Sequence, residues 1–364
     1  MKSNRVYRIA LFDGDGIGPE IMAPTRSVLD MVAKRIGRKL EFETLPAGAQ
    51  HYAETGESLP AASIDAARNA DAILLSAMGL PNIRKQDGTE ITPQIDLRFA
   101  LGLYAGVRPV KLYPGQPTPL ADPRAFETDF VLIRESTEGL FAHMHEGQVV
   151  DNSYATETLR ITRATSEKLF DFAFRLAQRR AAKRGTPGRV TCVDKANVFR
   201  SFWFFRSIFE ERAKAFPEIA ADSAYVDAFA MWMVQKPWEF DVVVTENMFG
   251  DILSDLGAGI MGSLGLAPSA DIGDENAVFQ PCHGSAPDIA GKGIANPLAM
   301  FLSASLMLDW LAGEHDDAAL TEGAVMIDDA VSRVIREGKA LTGDLGGSAD
   351  TAATSEAVMK HLGA

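Results

Sequence analysis

The chain has 364 residues, of which 46% are hydrophobic, and it carries a formal net charge of -13. This length is too great for one ordinary core and predicts two domains or one large, elaborated sheet protein. The acidic balance, with no block of like charges that would form a binding tail, argues against nucleic acid and anionic membrane surfaces as partners.

The sequence also predicts a cytoplasmic protein with no membrane segment. The hydrophobic run at the amino terminus is short and breaks at Asp13, unlike the core of a signal peptide. The longest apolar stretch, Asn296–Ala312, contains Asp309 and is shorter than the roughly 20 residues of a membrane helix. Cys192 and Cys282 form neither a disulfide framework nor a zinc signature.

Strand-like and helix-like patterns alternate along most of the chain. Apolar runs bounded by turn residues predict strands within 8–14, 71–79, 130–136, 189–195 and 240–247. Helical periodicity predicts helices at Gly18–Ile36, Thr165–Arg184, Phe199–Phe216, Asn296–Ala312 and Thr321–Glu337. This alternation is typical of an α/β fold whose sheet is largely parallel and covered on both faces.

Two carboxylates interrupt the segment "VTENMFGDILSDLG". A helix beginning at Gly250 or Asp251 would place Asp251 and Asp255 on one face, about one turn apart. Carboxylates this close repel each other unless a cation lies between them, and Mg²⁺ or Mn²⁺ prefers oxygen ligands. The alternative interpretation is a helix-capping aspartate followed by a solvated one.

Further charged residues occur within or beside apolar runs. Lys195 ends one such run, where a lysine needs a carboxylate partner or a lowered pKa suited to proton transfer, and Asp227 interrupts another. Three arginines could together bind carboxylates in bidentate fashion, or could be ordinary surface residues: Arg98, Arg108 and Arg134.

Taken together, these segments resemble the metal-dependent β-decarboxylating dehydrogenases, the family of isocitrate, 3-isopropylmalate, homoisocitrate, tartrate and D-malate dehydrogenases. The resemblance covers nearly the whole chain. It rests on "GDGIGPEIM", "LYAGVRPVK", "IRESTEG", "VDKANV", "YVDA", "NMFGDILSDL", "GSLGLAPSA", "HGSAPDIAGKGIANP" and "DLGGSA", which occur in this order.

The resemblance implies an isopropylmalate dehydrogenase-like α/β fold with a large mixed, mostly parallel sheet, not a Rossmann domain. It implies a discontinuous cofactor-binding domain, residues 1–103 plus 262–364. Residues 104–261 would form the domain that binds substrate and metal and makes the dimer, with the active cleft where the domains meet.

The same resemblance assigns roles to the charged residues. Asp251 and Asp255 would bind Mg²⁺ or Mn²⁺ together with Asp227 of the partner subunit, so that a homodimer shares its active sites. Lys195, also from the partner subunit, would be the general base or proton relay. The carboxylates of a small hydroxy diacid would be held by Arg98, Arg108 and Arg134.

The resemblance further implies NAD as the cofactor. The adenosine loop would comprise His283, Gly284, Ser285, Ala286 and Asn296. Relatives that use NAD place an acid at the position of Asp288, and this acid followed by Ile289 would repel the 2'-phosphate of NADP.

The sequence departs from the family pattern at several positions. Phe141 stands where the family usually has a tyrosine that donates a proton after decarboxylation, and phenylalanine cannot donate. Another donor would be needed, with His143, Tyr154, Lys195 and water as the candidates.

Thr92, Gln94 and Ile95 lie in the substrate loop from Asp87 to Arg98, where isopropylmalate enzymes present two leucines. The implied pocket is mixed and could accept a hydroxyl, a small alkyl group or a carboxylate. Gln280 replaces a frequent glutamate before the adenosine loop.

Three functions follow from these features. The first is NAD-dependent oxidative decarboxylation of a 3-substituted malate such as 3-isopropylmalate, tartrate or D-malate. The second is a dehydrogenase of the same fold, acting on a 2-hydroxy acid with impaired decarboxylation or on an isocitrate-type substrate. The third, a non-catalytic metabolite binder, fits least well because the metal, base and arginine positions are all retained together.

Overall fold

The computed structural model describes residues 5–86 and 88–363. The chain forms two compact units. Unit 1 contains the described residues of Met1–Leu101, Tyr113–Thr118 and Met261–Ala364, and unit 2 contains Gly102–Leu112 and Pro119–Ile260. Both units are therefore built from segments that are separated in the sequence.

The strands of the described chain pair mainly in parallel. In chain order they are β1 (Val6–Phe12), β2 (Lys39–Thr44), β3 (Ala72–Leu75), β4 (Ala105–Lys111), β5 (Asp129–Glu135), β6 (Gln148–Val150), β7 (Tyr154–Thr156), β8 (Arg189–Asp194), β9 (Ala220–Tyr225), β10 (Val242–Thr245), β11 (Pro268–Ile272) and β12 (Ala277–Pro281).

Within unit 1 the strand order is β2-β1-β3-β12-β11, and only the pairing of β11 with β12 is antiparallel among the described residues. Within unit 2 the order is β4-β5-β10-β8-β9, and β4 runs antiparallel to β5 while the other pairs are parallel. β6 and β7 form a separate antiparallel hairpin. The prediction of an α/β fold with a mixed, mostly parallel sheet is confirmed.

Helices connect these strands. They are α1 (Gly18–Ile36), α2 (Ala49–Thr55), α3 (Ala61–Arg68), α4 (Pro93–Ala100), α5 (Arg163–Arg184), α6 (Arg200–Ala213), α7 (Val226–Gln235), α8 (Asn247–Ile260), α9 (Leu298–His315), α10 (Ala318–Glu337) and α11 (Thr351–Gly363). The five helices predicted from periodicity are confirmed, with ends displaced by less than one turn.

The cores explain the continuous apolar runs in the sequence. Every residue of β3 and β10 is buried, as expected for central strands with both faces covered. In unit 1, α9 packs on β11 and β12 and against α1 and α10, so it is apolar on most sides. In unit 2, phenylalanines of α5 and α6 stack on one another, with Phe174 and Phe209 rings 5.4 Å apart.

The start of α8 was predicted wrongly. The helix begins at Asn247, about one turn before the predicted start at Gly250 or Asp251. The carboxylate of Glu246 accepts hydrogen bonds from the backbone N–H groups of Met248 (3.2 Å) and Phe249 (2.9 Å). It thereby satisfies donors that the first turn of a helix leaves unpaired, which permits the earlier start.

No helix in the described ranges is long and apolar enough to cross a membrane.

Candidate active site

Helix α8 of unit 2 carries the two predicted metal ligands. Burial and the neighbouring negative charge of Asp251 raise the pKa of Asp255, while the positive charges of Arg134 and Arg108 act in the opposite direction. Two neighbouring carboxylates of this kind are an oxygen donor set suited to a hard divalent cation, which would offset their negative charge. Asp251 and Asp255 therefore fit Mg²⁺ or Mn²⁺.

Arg134 connects β5 to this helix. The side chain is 6% exposed, and its guanidinium donates to Oδ1 of Asn247 from Nε (3.0 Å) and Nη2 (2.7 Å) and also pairs with Asp251. A Cβ atom added at Gly250 would lie 2.6 Å from Cβ and Cγ of Arg134. The glycine therefore gives Arg134 the space to reach along α8.

Arg108 lies close to Arg134 because β4 and β5 are antiparallel neighbours. Gly106 is paired with Arg134, and Arg108 lies two residues further along β4, so its side chain projects from the same face of the sheet. Arg108 is 6% exposed, and its charge acts on Asp255. Unit 2 thus brings two of the predicted substrate arginines to the two predicted metal ligands.

The predicted base, Lys195, follows β8 directly and pairs with Asp227 in the first turn of α7. The Lys195 Nζ to Asp227 Oδ1 distance is 2.7 Å, and this hydrogen bond is the main cause that lowers the pKa of Asp227. The Asp227 side chain is 69% exposed. Within the described part of one chain, no three acidic, histidine or cysteine side chains form a group that could hold a metal.

Arg98, the third predicted arginine, belongs to α4 of unit 1. It is 7% exposed and its Nη2 donates to Oδ2 of Asp271 at 3.1 Å. The Gln280 amide donates to the same oxygen at 2.8 Å. Thr92 and Gln94 lie just before α4 and in its first turn, whereas Asp87 of the predicted substrate loop lies outside the described residues.

The candidate proton donors differ in their surroundings. The Arg134 guanidinium carbon lies 5.2 Å from the centre of the Phe141 ring, so the phenylalanine covers a predicted substrate arginine. The Nδ1 atom of His143 lies 2.8 Å from Oε2 of Glu146, within hydrogen-bond distance. Tyr154, on the β6–β7 hairpin, is 58% exposed.

Unit 1 also contains a cavity of about 700 Å³ beside the predicted cofactor loop. Five of the seven predicted cofactor residues line it: His283, Gly284, Ala286, Ile289 and Asn296. Ser285 and Asp288 belong to the same loop but do not contribute to the lining. The cavity is large enough for a nucleoside-sized group.

The predicted cofactor loop is held in place by its neighbours in unit 1. The Ser285 hydroxyl donates to the carbonyl of Gly79, and the Ser285 carbonyl accepts from the N–H of Ile17 at 2.9 Å. A Cβ at Gly16 would lie 2.1 Å from the Ser285 carbonyl oxygen, so this close approach requires glycine. The "GDGIGPE" segment thus supports the loop.

His283 presents a neutral imidazole in this loop. Its Nδ1 lies 3.0 Å from the Gly284 carbonyl oxygen, which can only accept, so Nδ1 carries the proton and Nε2 is an acceptor. Burial lowers the pKa of His283, which favours this neutral form at neutral pH. Nε2 is buried and has no partner among residues 5–86 and 88–363.

Sequence reasoning assigned no role to part of the cavity wall. Asp344 accepts from the Asn296 amide at 2.9 Å and from the hydroxyl of Ser263. The motifs "GSLGLAPSA" and "DLGGSA" contain Ser263 and Asp344, but the proximity of these residues to Asn296 depends on long-range contacts. The other unassigned lining residues are Ile17, Leu264, Gly265, Ile294, Gly343, Ser348 and Ala349.

Comparisons with known proteins agree with this geometry. Residues 8–360 match the isocitrate/isopropylmalate dehydrogenase family. A "3-isopropylmalate/3-methylmalate dehydrogenase" of Methanocaldococcus jannaschii is 42% identical over 358 residues, which cover 98% of this chain and 99% of that protein.

Two crystal structures are also similar. An isocitrate dehydrogenase from Methylococcus capsulatus is 36% identical with a TM-score of 0.83, covering 98% of this chain and 99% of that one. A β-decarboxylating dehydrogenase from Thermococcus kodakarensis, in apo form, is 35% identical with a TM-score of 0.80, covering 98% and 96%. The agreement of sequence and fold over nearly the full length shows that this chain belongs to the isocitrate/isopropylmalate dehydrogenase family and is a β-decarboxylating oxidoreductase.

Proposed function

We propose that this protein is a cytoplasmic, NAD-dependent and Mg²⁺- or Mn²⁺-dependent enzyme that oxidises and decarboxylates a 3-substituted malate. The observation that carries the proposal is the group formed by Asp251, Asp255, Arg108 and Arg134. It joins an oxygen donor set for a divalent ion with guanidinium groups that bind carboxylates.

The chain's own residues would bind the substrate and move its proton. Arg108 and Arg134 would hold the carboxylates, Arg98 would contact the substrate from α4, and Lys195 would take the proton of the substrate hydroxyl as the carbinol carbon is oxidised. Asp227, hydrogen bonded to Lys195 at 2.7 Å, would keep the amine oriented. When bound, the divalent ion supplies Lewis acidity and NAD supplies the two-electron acceptor.

The choice of NAD over NADP follows from Asp288, an exposed acid in the cofactor loop. A carboxylate near the ribose accepts hydrogen bonds from its hydroxyls and repels a 2'-phosphate. The cavity beside this loop would receive the adenosine. Unit 1 would then be the cofactor-binding domain, and unit 2 the domain that holds the metal and forms the dimer.

We further propose that the active form is a homodimer with shared active sites. Unit 2 exposes apolar side chains on two helices, with Met231 and Val234 of α7 each 50% exposed and Ile252 of α8 62% exposed. Val149 and Tyr154 of the hairpin are exposed as well. Such a surface suits a second copy of the chain, which would bring Lys195 and Asp227 of the partner subunit to the α8 aspartates.

The direct test is to follow NADH formation with Mn²⁺ on a panel of D-malate, tartrates, 3-isopropylmalate and isocitrate. We expect turnover on at least one malate and a marked preference for NAD over NADP. Asp251→Asn should abolish the metal-dependent turnover while the far-ultraviolet circular dichroism spectrum is unchanged. No turnover on the whole panel, or full activity of Asp251→Asn, would contradict the proposal.

Phe141 favours a second candidate function. Its ring covers the Arg134 guanidinium and has no proton to donate. The enzyme would then release the keto acid without efficient loss of CO₂. Measuring CO₂ together with NADH separates the two functions, because complete decarboxylation gives equal amounts of both.

A further inference from the structure

Two polar atoms on one face of α4 are buried without a partner. Gln94 and Arg98 are four residues apart in this helix, so their side chains project from the same face. The Oε1 atom of Gln94 and the Nε atom of Arg98 are buried, and neither has a hydrogen-bond partner within the described chain. Buried polar atoms without a partner are unfavourable, so a ligand group that pairs with them would be bound preferentially.

The charge of Arg98 is already compensated inside unit 1. Its guanidinium pairs with Asp271, which is 1% exposed, and the Gln280 amide donates to the same carboxylate oxygen. The Arg98–Asp271 pair is therefore electrically neutral and held in place. Arg98 Nε is left as a directed hydrogen-bond donor beside an already compensated charge.

The three kinds of substituent left open by the sequence would behave differently here. An alkyl group offers no donor or acceptor, so it would leave both buried atoms without a partner. A further carboxylate would bring a second negative charge towards Asp271, and the guanidinium of Arg98 already pairs with that aspartate. A hydroxyl can donate to Gln94 Oε1 and accept from Arg98 Nε, and it can also pair with Gln94 if the amide is rotated.

We propose that the substituent on C3 of the substrate is a hydroxyl group, so that the substrate is a dihydroxy diacid of the tartrate type. This inference rests on the proposed function and specifies its substrate. One carbinol is oxidised to the ketone by transferring a hydride to NAD⁺ and a proton to the base. The second hydroxyl is not changed in that step and is the group recognised by Gln94 and Arg98.

The test compares kcat/KM for the stereoisomers of tartrate with kcat/KM for 3-isopropylmalate, 3-methylmalate and isocitrate. We expect at least one tartrate to exceed every alkylmalate by about tenfold or more, as for sites that hydrogen-bond a substrate hydroxyl. In Gln94→Leu this ratio should fall by about tenfold or more, since leucine cannot accept the hydrogen bond. The matched control is Gln50→Leu, an exposed position in α2 of the same unit, which should keep the wild-type ratio.

The outcomes separate the two proposals. Good turnover of 3-isopropylmalate or isocitrate with poor turnover of every tartrate would overturn the hydroxyl inference and leave the proposed function intact. No turnover of any substrate would count against the proposed function itself. An unchanged selectivity ratio in a folded Gln94→Leu protein would overturn the role of Gln94. Partial loss of active enzyme does not affect this ratio, because both kcat/KM values are measured on the same sample.

Discussion

Asp317 is a buried carboxylate whose ionised form the fold stabilises. It accepts hydrogen bonds from the Tyr7 hydroxyl at 2.8 Å and from Nε and Nη2 of Arg38 at 2.6 and 2.7 Å. The Arg38 hydrogen bonds are the main cause that lowers the pKa of Asp317 from 3.8 to about 2. Burial is the main cause that raises the pKa of Tyr7 from 10.0 to about 12, and the hydrogen bond to the negatively charged Asp317 adds to the rise.

These shifts predict how stability depends on pH. Asp317 has a depressed pKa, so its contribution, on the order of 2 kcal/mol, is present above about pH 4 and is lost as pH falls towards 2. Tyr7 has a raised pKa, so its contribution is present below pH 10 and is lost as pH rises through 12. The free energy of unfolding in urea, measured across pH, should show both losses.

The variant Asp317→Asn isolates the acid part of this dependence. It should lower the free energy of unfolding at pH 7 by about 3 kcal/mol, because it leaves Arg38 without its buried partner. It should also flatten the decline between pH 4 and 2. The same acid slope in variant and wild type would show that other carboxylates are responsible.

Helix α8 carries the proposed metal ligands, and Gly250 of this helix packs against the side chain of Arg134. In Gly250→Ala the new Cβ would lie 2.6 Å from the Arg134 side chain, which must then move from Asn247 and Asp251. We expect a loss of stability of about 1–3 kcal/mol from overpacking and a fall in turnover of about tenfold or more from the displaced arginine.

A matched control is Gly363→Ala, also in a helix, where an added Cβ meets no atom within 4 Å. This control should keep wild-type turnover and stability within about 0.5 kcal/mol. Wild-type turnover in Gly250→Ala would show that Arg134 can bind substrate from another position.

The strands and helices that depend on the local pattern of apolar residues could be predicted from the sequence. The apolar runs of β3 and β10 and the periodic helices were predicted correctly because burial dictates their residues. The start of α8 was missed because Glu246 caps the helix with its side chain, although it looks like a strand-ending residue. The lining role of Asp344 was missed because its contact with Asn296 spans 48 residues.

In the whole protein, the described residues of one chain bring no three acidic side chains together as a metal site, which suggests a test by mixing subunits. Neither Lys195→Met nor Asp251→Asn should be active alone. If partner subunits share the sites, a mixed dimer keeps one site with an intact lysine and an intact aspartate. Random reassembly of equal amounts should then restore about a quarter of wild-type activity.

No recovery after verified subunit exchange would mean that each chain completes its own site. Light scattering on the same samples checks that dimers form. As a control, mixing Lys195→Met with Lys195→Met should give no activity. A site shared between subunits depends on contacts between chains, which residue patterns predict less well than contacts along one chain.

The anchoring of Ser285 has a thermodynamic consequence. Its hydroxyl and its carbonyl join the proposed cofactor loop to the segments that follow β3 and β1, so the loop is ordered when unit 1 folds. When a ligand enters the neighbouring cavity, this loop therefore loses little further conformational entropy. Calorimetry should therefore register dinucleotide association with a small entropic penalty, and Ser285→Ala should enlarge that penalty while leaving the contact surface of the cavity almost unchanged.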